Sequence, residues 1–162
     1  MLAPSMASHS FLTTWCVAAP IEPVWDLLSK PETYPEWWKG VREARVLEPG
    51  EDGTGVGTLY RQQWRSKLRW NLGFDMRSTR VEKPYLLEAR ASGELVGVGL
   101  WRLFESPVGT VALYNWDVST RAKMNRVAVL ARPVFGWNHD YIMRCGAEGL
   151  ADKLGVALLT HN

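Results

Sequence analysis

The sequence predicts an α+β fold: one antiparallel sheet of seven strands and a long C-terminal helix, with two short helices after the first strand. Three observations carry this reading. Between Val41 and Ser119, six β-like segments follow one another across short turns, which favours hairpins over crossover connections. After Thr120 the apolar residues recur at helical spacing instead. Pro20, Pro23, Pro31 and Pro35 divide the chain before the sheet into two short helical pieces rather than one long helix.

Residues 1–8 carry no periodic pattern and read as a frayed tail, with a single domain over residues 9–158. From His9 to Ala18, Phe11, Thr13, Trp15 and Val17 alternate with Leu12, Thr14 and Cys16, a strand pattern ended by Pro20. Ile21, Val24, Trp25 and Leu28 then fall at i, i+3, i+4 and i+7, the apolar stripe of a helix running to about Ser29. A separate helical turn carries Tyr34, Trp37 and Trp38, and Gly40 closes it. Neighbouring positions on a helix are about 100° apart, so one of the two tryptophans is expected near a rim.

Strands are expected at Val41 to Leu47 and Thr58 to Trp64, joined by a glycine-rich turn. Gly53, Gly55 and Gly57 have the look of a phosphate loop, but a strand follows where a helix is required, so they read as turn and bulge residues. The clearest alternation comes next: Leu68, Trp70, Leu72, Phe74 and Met76 on one face, Lys67, Arg69, Asn71, Asp75 and Arg77 on the other. Tyr85 to Ala91, Leu95 to Phe104 and Thr110 to Ser119 complete the sheet. A bend is expected at Pro133, then a helix from about Val134 to Leu154.

The chain has 162 residues, 46% hydrophobic and 22% charged, ordinary values for one globular core, but nine tryptophans are an excess. Nineteen Lys and Arg against 17 Asp and Glu leave a formal charge of +2, too small to argue for nucleic acid. Cys16 and Cys145 are far apart and suggest neither disulfide framework nor zinc site, and with only His9, His139 and His161 no histidine metal site is expected. No basic leader or long apolar run stands out, so a cytoplasmic protein without transmembrane segment is expected.

The element order, with Ala19-Pro20, Val24-Trp25, Pro31, Tyr34-Pro35, Trp37, Gly97-Val98-Gly99, Trp101, Tyr114-x-Trp116 and Trp137-Asn138-His139, resembles the START-related (SRPBCC) superfamily, in its polyketide cyclase/dehydrase-like branch. The likeness runs from Phe11 to Leu154 and lies in packing patterns rather than catalytic signatures. It implies a helix-grip fold, in which a curved sheet wraps around the C-terminal helix and encloses an apolar cavity for lipids, polyketides or similar ligands.

On that fold Tyr34, Trp37 and Trp38 either seal the core or gate the cavity. The ligand-binding candidates are Trp37, Trp70, Leu72, Phe74, Met76, Trp101, Leu103, Tyr114, Trp116, Asn138, His139 and Ile142, since strand parity and the helix wheel put them on inner faces or at their edges. Asn138 and His139 either bond neighbouring backbone or orient a carbonyl ligand, and His139 and Tyr114 are the candidates for proton transfer. Arg61, Arg65, Lys67, Arg69, Arg77 and Arg80 form a basic stripe read as an outer, solvated sheet face, with an anionic partner as the alternative.

Three functions follow as expectations: binding or transport of a small hydrophobic molecule, a polyketide aromatase/cyclase that shapes a poly-ketone chain, or a regulatory interaction module using the basic stripe. None calls for a cofactor, and the chain is expected to be a monomer or homodimer.

Overall fold

The computed structural model describes residues 8–67, 71–120 and 132–162. Trp70, Leu68 and the helical pattern expected between Thr120 and Pro133 therefore lie largely outside the described residues. The first strand, β1, is Ser8–Val17, followed by helix α1 at Ile21–Leu28, a 3-10 turn at Pro31–Thr33 and the one-turn helix α2 at Tyr34–Trp37. Then come β2 Val41–Glu48, β3 Leu59–Arg65, β4 Asn71–Glu82, β5 Leu86–Gly93, β6 Leu95–Ser106 and β7 Gly109–Thr120. Helix α3 is Arg132–Leu154, and a last strand, β8, is Leu158–His161.

The strands form one antiparallel sheet in the order β2-β3-β4-β5-β6-β7-β1-β8. Among the described residues the sheet has eight strands, not the seven expected. Gly155, at φ 65°, stops α3, and the chain turns back so that Leu158–His161 covers the open edge of β1. Four residues give too short an alternation to stand out in sequence, and the pairing partner lies at the other end of the chain.

Helix α1 buries Ile21, Val24, Trp25 and Leu28, the four positions of its apolar stripe. Trp37 and Trp38 are both buried, against the expectation that one faces a rim. The reason is that α2 ends at Trp37, and Trp38 has an extended backbone at φ −100° and ψ 99°, so helical spacing no longer separates the two rings.

Among the described residues the buried side chains fall into two clusters. One packs Trp15, Leu28, Trp38, Leu103, Met143 and Leu150 beneath α1, α2 and the C-terminal half of α3. The other, Phe74, Met76, Ala91, Leu95, Trp116 and Val118, lines the inner sheet toward the N-terminal half of α3. Gly146 and Gly149 set the first contact: a Cβ at Gly146 would collide with the rings of Trp38 and Trp15, and one at Gly149 with the backbone of Trp37. The helix is thus drawn tight against α2 at one end, and space is left under its other end.

Candidate functional site

That space is a cavity of about 170 Å³. It could hold on the order of ten waters, each needing roughly 10–15 Å³ by the same measure. Two small residues, Ala89 and Gly99, face each other across β5 and β6 in its lining. A run of three stacked rings borders it, with Trp101 to Tyr114 at 4.5 Å and Tyr114 to Trp116 at 5.9 Å between centroids. Cross-strand register produces the run, because Trp101 faces Tyr114 directly and Gly99 faces Trp116.

Of the residues singled out from sequence, Leu72, Phe74, Met76, Trp101, Tyr114, Trp116, Asn138, His139 and Ile142 line the cavity. Leu103 does not; it is buried in the cluster beneath α1. Trp37 does not line it either, and lies stacked behind Trp38 at 5.4 Å. Trp38 takes its place on the wall, where its Nε1 donates to the carbonyl oxygen of Ile142 at 2.9 Å. Trp70 lies outside the described residues.

The structure adds wall residues that sequence reasoning passed over. Phe11 and His9 on β1 line the cavity beside α3, where the Phe11 ring lies flat on His139 at 4.1 Å and His9 stacks on Phe135 at 5.4 Å. Tyr60, Gln62 and Trp64 line it from β3, and their i, i+2, i+4 spacing was the available signal for a shared inner face. Arg61 and Arg65 on the same strand mask that pattern by giving the segment a charged, solvated look.

Polar side chains punctuate the apolar lining, among them Gln62, Ser78, Tyr114, Asn138 and His139. The Oδ1 of Asn138 and both ring nitrogens of His139 are buried and have no hydrogen-bond partner among the described residues. Asp140 is 3.6 Å from His139 Nδ1, beyond hydrogen-bond length. Burial pushes the His139 imidazole below its ordinary value, and the nearby Asp140 carboxylate only partly opposes this. The ring is therefore neutral at neutral pH. Burial likewise raises the Tyr114 phenol far above its usual range, so it stays a protonated donor. Among the described residues no three His, Cys, Asp or Glu side chains are grouped as a metal ion would require.

Three arginines of the basic stripe are ion-paired, and Arg69 lies outside the described residues. Arg61 grips Asp75 through two bonds of 2.9 and 3.1 Å, Arg77 meets Glu48 and Arg80 meets Glu82. Lys67, expected on the outer face, instead folds over the Trp137 and Tyr141 rings of α3, 5.2 and 5.1 Å from their centroids. No helix among the described residues is long and apolar enough to cross a membrane.

Residues 17–141 match the family model described as polyketide cyclase/dehydrase and lipid transport. No curated protein matches the sequence. Among solved structures, the Zhui aromatase/cyclase from a Streptomyces species aligns with a TM-score of 0.73 at 17% identity, over 93% of this chain and 94% of that one. A START superfamily protein from Mycobacterium smegmatis aligns at 0.65 and 17% identity, over 92% and 98%. The di-domain ARO/CYC protein BexL aligns at 0.71 and 18% identity over 90% of this chain, which spans only 49% of that longer one. At these identities the likeness is one of fold.

Proposed function

The chain belongs to the polyketide cyclase/dehydrase and lipid transport family, and from that premise we propose that it binds a small hydrophobic molecule bearing a hydroxyl or carbonyl group. The observation that carries this is the set of buried polar atoms on Asn138 and His139 that have no partner among the described residues, set in a largely apolar wall. A buried polar atom without a partner costs about 1–3 kcal/mol. A ligand that supplies the partner recovers that cost while its apolar body covers Phe74, Met76 and Trp116.

Native mass spectrometry of the protein as purified, with extraction of any released compound, tests this together with titration by anilinonaphthalenesulfonate. Wild type should retain a ligand or bind the dye, and Ala89→Leu, which adds bulk to the cavity lining, should lose both. Dye binding indifferent to Ala89→Leu, with nothing retained, would sink the reading.

The same groups favour a second reading, catalysis of the aromatase/cyclase kind. A neutral imidazole at His139 can accept a proton and the Tyr114 hydroxyl can donate to a ketone oxygen, while the pocket holds a reactive chain folded. Here His139→Ala should abolish turnover of a poly-ketone surrogate while leaving its binding largely intact. Equal loss of both would count against a chemical role.

A further inference from the structure

We infer that Gln62 is a specificity-determining residue, a second polar anchor that makes the cavity prefer ligands oxygenated at both ends. The inference rests on the ligand-binding reading above. Gln62 is 6% exposed on the inner face of β3, opposite Phe74. A primary amide has an acceptor end and a donor end, and burying either without a partner is costly.

Among the described residues only the acceptor end has a hydrogen-bond partner. Trp64 Nε1 donates to Gln62 Oε1 at 3.0 Å, and because an indole nitrogen can only donate, the atom it meets must be the amide oxygen. The amide nitrogen, with two hydrogens, is the end left to meet a ligand. This orientation is braced from behind. Trp64 packs edge-on against Trp38 at 5.1 Å, and Trp38 is tied to the Ile142 carbonyl of α3. A relay from helix to indole to indole to amide thus fixes where the donor points.

The second anchor is distinct from the first. His139 sits against β1 through Phe11, whereas β3 lies five strand steps away in the sheet. Between them the wall is apolar, formed by Phe74, Met76 and Trp116. A hydroxyl placed at Asn138 and His139 therefore leaves the far end of a rigid ligand facing Gln62, where a carbonyl oxygen would take the amide hydrogens and an alkyl group would strand them.

The test compares two naphthols that differ only at the far end of the ring system, one carrying an acetyl group and the other an isopropenyl group of the same shape. Isothermal titration calorimetry on the full chain should find the acetyl compound about three- to tenfold tighter, the worth of one neutral hydrogen bond. Gln62→Leu should erase or reverse that preference while the isopropenyl compound binds as well as before or better. Trp64→Phe, which frees the amide to rotate, should shrink the preference and retain binding of both. Equal affinities in wild type, or equal losses of both compounds in Gln62→Leu, would overturn the inference and leave the ligand-binding reading standing. Failure of wild type to bind either compound would overturn both.

Discussion

The ring of Tyr114 occupies the space that a side chain at position 99 would need. A Cβ built on Gly99 would run into the Tyr114 hydroxyl oxygen and lie 3.1 Å from Cζ and 3.2 Å from Cε3 of Trp116. Tyr114 cannot simply swing aside, because Trp101 stacks on it from the neighbouring strand. Gly99→Ala should therefore destabilise the protein by about 1–3 kcal/mol, the usual cost of overpacking. In a double variant with Tyr114→Ala the two costs should fall short of their sum by about 1 kcal/mol or more. Urea denaturation of the four proteins closes the cycle; strict additivity would show that the two positions do not share this space.

Two glycines of α3 should respond oppositely to the same substitution. Alanine in place of glycine inside a helix ordinarily stabilises by about 0.5–1 kcal/mol. Gly136→Ala should show that gain, since no atom of the described residues lies within 4 Å of its added Cβ. Gly149→Ala should instead cost about 1–3 kcal/mol, because the Cβ meets the backbone carbonyl of Trp37, which cannot yield as a side chain would. Thermal denaturation that found both variants stabilised would refute the close approach of α3 to α2.

Much of the fold was legible, and the reasons differ by element. The stripe Ile21, Val24, Trp25, Leu28 specified α1 because burial followed its helical spacing. The alternation through Leu72, Phe74 and Met76 specified the inner face of β4 in the same way, and all three reached the cavity. The exchange of Trp38 for Trp37 was not legible, since it depends on where α2 ends and a one-residue boundary re-aims the side chain. Gln62 was half legible: alternation with the outward Arg61 places it on the inner face, but its neighbour there, Phe74, emerges only from the pairing of β3 with β4. Likewise β8 and the pairing of Lys67 with α3 arise from contacts between residues far apart in the chain, to which local patterns are blind.

Lys67 offers a modest, specific check of its placement. Its ammonium group stands over both Trp137 and Tyr141, and Trp137 is 47% exposed, so the contact is partly solvated. A cation over an exposed ring contributes about 0.5–1 kcal/mol. Lys67→Gln should lose roughly that amount, and Lys67→Arg should retain most of it. If Lys67→Gln in a Tyr141→Leu, Trp137→Leu background costs as much as in wild type, the rings are not its partners.

His139 should leave a signature in the pH dependence of stability. Its folded-state pKa is lowered, chiefly by burial, so in the folded protein the imidazole resists protonation while in the unfolded chain it titrates near its ordinary value of about 6.5. Above that value both states are neutral at this position and the contribution to stability is complete. As pH falls below it, the unfolded chain takes up a proton that the folded one does not, and stability declines until the lowered folded value is reached. The Asp140 carboxylate works against burial and limits how far the window extends. Comparing denaturation at about pH 7.5 and about pH 5.5, wild type should lose more stability than His139→Leu, whose leucine keeps the ring's place against Phe11 without a titrating group. The difference between the two proteins isolates position 139 from the other histidines, and a bound ligand that partners the imidazole should alter that difference. Identical losses in the two proteins would mean that His139 protonates as easily folded as unfolded, which its burial does not permit.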